Sequence, residues 1–474
     1  MPKKRTAKVV TVAATIAMAA LVVRAALVDL GLAGDSANHL VVFVSGDSRG
    51  YLEPCGCRID QAGGLPARAT VIREVAPRGR LVVDIGNMTE GTRAYELIKL
   101  RYLLEGMSKI GYDAVNVGRT EAELDLPTLR STMKASGLPF VTANVVDKKT
   151  GLPVADPFIV VRRGAVRIGI TGVASAETGD IGPGVEVRPP IESLASVIPD
   201  LKARCDYIIV LAYVGDDDLM RIADQFPEVR AVLGGDVPES SNTAVIVNRA
   251  VLFSVTGHGK VIGRIDFTRA GSSYDLSASR GVKMATDTIK PDPEMLTLIA
   301  GYKNELRNRR YELASAEGME LISTSADSAD QYVGEAACVR CHASAHVIAS
   351  KTLHARAFAT LVAKNSEFDP ECLRCHTVGY GLYTGFVDAT TTPGLENVQC
   401  ESCHGRGKYH IEQMEKQAAL TGHIVLGSLK PGASNSFHEA STLNSVTPST
   451  CLRCHDQDNS ANFNYATFLP KIAH

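Results

Sequence analysis

The sequence predicts an α/β domain of mixed sheets flanked by helices over residues 38–285, followed by a small, mainly α region over residues 331–474. Three observations predict it. Strand-like apolar runs alternate with amphipathic stretches through the first part. Ten of the twelve His and eight of the eleven Cys lie at or after position 338. Long apolar runs are absent from that last part, which holds a single methionine, Met414. At 474 residues the chain exceeds one compact core, and 45% hydrophobic content lets it fold rather than remain disordered. A net charge of −2 lacks the basic bias of a nucleic-acid binder, so no nucleic-acid partner is expected.

Residues 1–37 come first. Lys3, Lys4, Arg5 and Lys8 precede a weakly polar to apolar run from Val9 to Val23, closed by Arg24. This is the layout of an export signal. A membrane span needs about 20 apolar residues, so a cleaved signal is expected, with an uncleaved anchor as the alternative. The expected location is the periplasm, with membrane contact only through that anchor.

The α/β part reads as strands at His39–Ser45, Arg80–Asp84, Ala114–Val117, Phe140–Asn144, Val166–Val173, Tyr207–Tyr213, Ala231–Leu233 and Ala244–Val255. Helical stretches such as Tyr95–Ile110 and Leu219–Phe226 fall between them. Residues 286–330 read as a helix over 292–317 and a Ser, Ala and Asp-rich linker over 321–330. Cys205 reads as a buried structural thiol.

Four segments in the last part repeat one pattern: Cys338, Cys341, His342; Cys372, Cys375, His376; Cys400, Cys403, His404; and Cys451, Cys454, His455. Each is C-x-x-C-H, the attachment signature of a c-type haem. Two thiols three positions apart reach the two vinyl groups of one porphyrin, and the next His reaches its iron. Zinc knuckles and dithiol redox pairs have no need of a His after every pair. Four covalently attached haems are therefore expected, forming much of the core themselves. His346, His354, His410, His423, His438 and His474 remain as distal ligands, so mostly bis-His iron at moderately low potential follows.

From Tyr332 through Ser350–Ala355 to Asn397–Gly405, this region resembles the cytochrome c-554 family of tetrahaem electron carriers. The resemblance implies distal ligation by His354 and His410. His474 resembles a ligand placed at the chain end, with His346 or His438 as the fourth.

The turns of the α/β part, Gly46-Asp47-Ser48-Arg49-Gly50, Gly63–Arg68, Val83–Asn87, Val117–Glu121, Thr142–Val145 and Val232–Asp236, resemble metallophosphatases of the 5'-nucleotidase type. That superfamily includes thiosulfate-hydrolysing enzymes. The resemblance implies two divalent ions activating a water. Residue by residue, however, the ligand positions read Asp47, Arg49, Asn87, Arg119-Thr120-Glu121, Tyr213 and Asp236-Val237, and only Asp47 is retained. No dinuclear metal site is expected. Arg49 and Arg119 have two readings: an anion pocket, or salt bridging with Asp47 and Glu121 inside a docking domain.

Cys55-Gly56-Cys57 follows Pro54 in the loop beside the implied pocket. It reads as a strained, redox-active pair or reactive thiol, or else as a structural pair in an oxidising compartment. The leading expectation is an electron-transferring cytochrome with redox partners in the cell envelope. The rival is an oxidoreductase acting on a small nitrogen or sulfur oxyanion through an open haem or Cys55/Cys57. A phosphoesterase fused to a cytochrome is the third.

Overall fold

The computed structural model describes residues 38–54, 61–175, 181–271, 273–316, 330–421, 445–456, 459–460 and 462–474. The export segment, Cys55, Cys57, His423, His438 and most of the linker lie outside the described residues.

The chain divides into two compact units. The first draws on the described residues within Met1–Asp47, Val71–Asn87 and Ile110–Val282. Its strands are β1 (His39–Ser45), β2 (Arg80–Asp84), β3 (Ala114–Asn116), β4 (Phe140–Val141), β5 (Val145–Asp147), β6 (Phe158–Arg163), β7 (Val166–Ala174), β8 (Val185–Val187), β9 (Tyr207–Tyr213), β10 (Val229–Gly235), β11 (Val245–Val247), β12 (Ala250–Ser254), β13 (Val261–Ala270) and β14 (Ser273–Lys283). One six-stranded sheet runs β14-β13-β1-β2-β3-β4, and a second runs β11-β12-β10-β9-β7-β6. The pairings among β1, β2, β3 and β4 are parallel, as are those among β7, β9, β10 and β12; β13, β6 and β11 add antiparallel edges. This is the mixed α/β class expected.

The near-continuous apolar runs of β1, β2 and β9 are buried along almost their whole length, as internal parallel strands require. Val42, Val44 and Ile85 from the first sheet form one core cluster with Ile168, Ile209, Leu211 and Phe253 from the second. The single strand expected over 244–255 is instead the antiparallel pair β11 and β12. Asn248 and Arg249, at φ of 47° and 77°, reverse the chain between them in the left-handed conformation that a two-residue hairpin favours.

The second unit comprises the described residues within Ser48–Thr70, Met88–Lys109 and Lys283–His474. The division departs from the boundary at 285 because two stretches between strands of the first unit pack with later residues. Helix Ala94–Ile110 meets helix Pro293–Ala316 through edge-on Tyr102 and Tyr302 rings, 5.6 Å between centroids, and through an Arg101–Glu305 ion pair. Gly63 N donates to Met284 O (2.9 Å), and Thr70 Oγ1 donates to Lys290 O (2.7 Å). The remainder is short helices around six buried apolar residues, Leu361, Leu373, Val378, Tyr380, Phe386 and Leu395. Among the described residues, no helix is long and apolar enough to cross a membrane.

Candidate functional site

Each C-x-x-C-H segment forms about one helical turn, which brings residues i, i+3 and i+4 to one face. Cys338 O accepts from His342 N, and Cys451 O from His455 N, both at 2.9 Å. The second and third segments lie in helices Pro370–His376 and Cys400–His404. Segments far apart in sequence come into contact here. The Cys338 thiol lies close enough to that of Cys400, and Cys375 to that of Cys454, for each to act electrostatically on the other. The neighbouring Cys338 thiol lowers Cys400 to about 7, while Cys400 and burial push Cys338 up.

Three of the four His that end these segments face a second imidazole. Ring centroids are 6.3 Å apart for His342 and His410, 5.9 Å for His455 and His354, and 6.0 Å for His404 and His474. Two imidazoles that share one metal through bonds of about 2.0–2.1 Å have centroids about 6 Å apart. Burial lowers the pKa of both His354 and His455, which favours the neutral, ligating form. His376 differs. Its Nδ1 lies 2.7 Å from Ala357 O and 3.4 Å from Thr360 Oγ1, and no imidazole stacks against it among the described residues. His346 stands with Nε2 3.8 Å from Glu335 Oε2.

The donor set thus fits c-type haem: paired imidazoles, and thiols free of disulfides among the described cysteines. Apolar side chains such as Leu353 (66% exposed) and Leu452 (53%) have little protein cover and suit contact with porphyrin faces.

The second segment is the most firmly held. Asp369 caps its helix, accepting from Glu371 N (3.0 Å), and accepts from the buried Tyr302 hydroxyl (2.9 Å). Glu371 pairs with buried Lys99, and Lys303 donates to Glu53 and to Lys364 O, both at 2.8 Å. Burial, then Asp369, pushes the Cys372 thiol well above its usual range. Tyr302→Phe is expected to cost about 1–2 kcal/mol, read as earlier loss of Soret absorbance on heating.

Glu401, inside the third C-x-x-C, was not singled out from sequence. Its buried carboxylate accepts from Val333 N (3.0 Å), Gly334 N (2.8 Å) and Gly407 N (2.8 Å). Gln399 Oε1 accepts from Glu335 N (2.7 Å), while its Nε2 donates to Gly394 O and Glu396 O. Together they tie the third segment to the start of the first. An acidic residue between two attachment cysteines was the available signal.

A second constellation lies at the strand ends of the first unit. Asp47 follows β1, Asn87 follows β2, Glu121 lies beyond β3, Tyr213 ends β9 and Thr256 lies beyond β12; the first four are at most 3% exposed. Asp47, Asn87, Asp236 and His258 all take positive φ, a concentration of backbone strain typical of functional strand ends. Gly86 is obligatory: at φ 92° a Cβ there would meet Gly118 N at 2.6 Å. Asn87 Nδ2 donates to Asp47 Oδ1 (2.7 Å) and to Tyr213 Oη (2.8 Å); Thr256 Oγ1 donates to Asp47 Oδ2 (2.9 Å). Arg119 opens the short helix Arg119–Ala122, half-buried. Arg49 lines a small cleft of the second unit with Thr89, Tyr95, Lys99 and the carboxylates of Glu90 and Glu371. No cluster of three or more His, Cys, Asp or Glu among the described residues is arranged to hold a metal ion.

Comparison with known proteins agrees with both halves. Residues 337–405 match the family model "Cytochrome c554 and c-prime". The N-terminal region is similar to 5'-nucleotidases. It is 30% identical over 165 residues to a Vibrio cholerae 5'-nucleotidase, covering 32% of this chain and 30% of that protein. It is 26% identical over 281 residues to Naja atra snake venom 5'-nucleotidase, covering 52% and 53%. The chain thus spans between about a third and a half of the length of these relatives. Among solved structures, a 5'-nucleotidase precursor from Thermus thermophilus superposes with TM-score 0.51 at 21% identity, covering 57% of this chain and 59% of that one. Sulfate thiohydrolase SoxB from the same organism gives 0.50 at 12% identity, covering 57% and 61%. A cytochrome c554-like region is therefore fused to a region with the 5'-nucleotidase fold.

Proposed function

We propose that the chain is an exported tetrahaem c-type cytochrome that passes electrons one at a time to redox proteins of the cell envelope, and that its 5'-nucleotidase-like region has no hydrolytic activity. The observation that carries this reading is the set of four C-x-x-C-H segments, three of whose imidazoles face a second imidazole at 5.9–6.3 Å. A bound c-type haem supplies a one-electron iron couple. His342 with His410, His404 with His474, and His455 with His354 would each, as a pair, hold one haem through two imidazole nitrogens, ligation that would keep its potential below that of His/Met sites. The Cys338–Cys400 and Cys375–Cys454 contacts bring attachment points of different segments together, which favours short electron steps.

Intact mass and a pyridine haemochrome assay are expected to give four haems per chain in a periplasmic fraction. Fewer haems, or retention in the cytoplasm, would sink the reading. Phosphatase assays with manganese or zinc are expected to show no turnover.

One observation favours a second reading, an oxidoreductase with an open haem. His376 has a carbonyl on its Nδ1, the contact that raises a ligand's basicity, and no imidazole against it among the described residues. Low-temperature EPR of the oxidised protein separates the two. Purely low-spin ferric signals favour the carrier; a high-spin signal perturbed by a nitrogen or sulfur oxyanion favours catalysis.

A further inference from the structure

The fold of the first unit implies a pair of divalent ions at its strand ends, and the side chains there do not fit one. Both oxygens of Asp47 are already engaged by donors. Oδ1 accepts from Asn87 Nδ2 (2.7 Å) and the Tyr213 hydroxyl (3.2 Å), and Oδ2 accepts from Thr256 Oγ1 (2.9 Å) and Gly257 N (3.2 Å). Glu121 is engaged too: Oε2 accepts from Asn87 N and Gly118 N, both at 2.9 Å, and Oε1 from Thr120 Oγ1 (3.1 Å). Thr120 N donates to Asn87 Oδ1 (3.2 Å). A cation approaching Asp47 would meet N–H and O–H hydrogens on the sides where ligand lone pairs are needed. Neutral tyrosine and threonine hydroxyls are also weak ligands for a dinuclear centre, and no His stands among these partners.

We infer that this cluster is a metal-free fastening between the two sheets. Asp47 and Asn87 follow strands of the first sheet, whereas Tyr213 and Thr256 belong to the ends of strands in the second. Four hydrogen bonds cross between them: Asn87 to Tyr213, and Tyr213, Thr256 and Gly257 to Asp47. Centred on one buried carboxylate, they join the sheets where coordination to shared ions would otherwise do so. Tyr213 is the hub, since its hydroxyl accepts from Asn87 and donates to Asp47. The inference rests on the non-hydrolytic reading of this region but is tested separately from it.

The test uses the haem-loaded full chain. Metal analysis of the purified protein is expected to find iron and no stoichiometric second metal. The α/β transition, followed by far-ultraviolet circular dichroism, is expected to be unchanged by a chelator or by added manganese or zinc. Tyr213→Phe is expected to lower that transition by roughly 3–10 °C and leave the haem spectrum unaltered. The double substitution Asn87→Asp with Tyr213→His, which exchanges donors for lone pairs, is expected to make the transition rise on adding manganese or zinc. A chelator-sensitive wild type, a bound second metal, or a Tyr213→Phe variant as stable as wild type each overturns the fastening, whether or not a phosphoester is hydrolysed. Hydrolysis by a chelator-insensitive wild type would overturn the functional reading and leave the fastening intact.

Discussion

Replacing His410 with alanine is expected to leave haem attachment intact and to convert one iron from low spin to high spin. In the proposed reading Cys338 and Cys341 would anchor the first haem whatever lies on its far side, so haem content would stay constant while the sixth ligand is lost. The spacing of 6.3 Å to His342 supports His410 as that ligand. His346→Ala is the control, because its Nε2 lies near Glu335 rather than opposite an imidazole. The EPR spectrum of His410→Ala should lose one bis-imidazole signal and gain a high-spin one, and that of His346→Ala should match wild type. The reverse pattern would reassign the ligand. His410→Met should instead keep a low-spin iron and raise its reduction potential, since thioether ligation favours the ferrous state.

The second large effect is expected at Glu401. Truncation to alanine leaves the Val333, Gly334 and Gly407 N–H groups inside the protein without their acceptor. Buried donors stripped of a charged partner cost about 1–3 kcal/mol each, and allowing for partial rehydration the total expected is about 3–5 kcal/mol. Glu401→Gln keeps an oxygen in place and should cost less than half as much. Burial raises the Glu401 pKa despite the three donors. Its folded-state affinity for protons therefore exceeds the unfolded one, and its ionisation opposes folding as pH rises through the carboxylate range. The cost of either substitution should accordingly be larger below that range and fall as pH rises through it, by the same amount for Glu401→Ala and Glu401→Gln. Chemical denaturation followed by Soret absorbance measures both variants; equal midpoints for Glu401→Ala and wild type would remove the assigned role.

The α/β class was legible because β1, β2 and β9 are buried on both faces, and so appear in sequence as unbroken apolar runs. Strands exposed on one face were harder to see. β6 and β14 mix polar and apolar residues along lengths that are only partly buried, and went unassigned. The turn at Asn248 and Arg249 was hidden because neither residue is glycine, although both take positive φ. The four C-x-x-C-H segments were explicit in their spacing. His354, His410 and His474 were identified as ligand candidates, but which proximal His each one faces depends on chain crossings that no local pattern encodes. At the strand ends, Asp47, Asn87 and Tyr213 were located by resemblance. Thr256 was missed: a hydroxyl in a glycine-flanked loop carries no pattern, and its partner lies 209 residues away.

The interleaving of the two units also bears on how the chain is made. Residues 48–70 and 88–109 emerge early, between strands of the first unit, yet part of their packing comes only from residues after 283. Helix Ala94–Ile110 must therefore wait for Leu298, Tyr302 and Glu305 to be synthesised before its outer face is covered. A fragment ending at residue 285 would carry that face permanently bare and is expected to aggregate, whereas one ending at residue 316 retains the covering helix. That longer fragment in turn leaves Tyr302 and Lys303 without Asp369 and Lys364, so the long helix is shared by early and late parts of the chain and neither cut is clean.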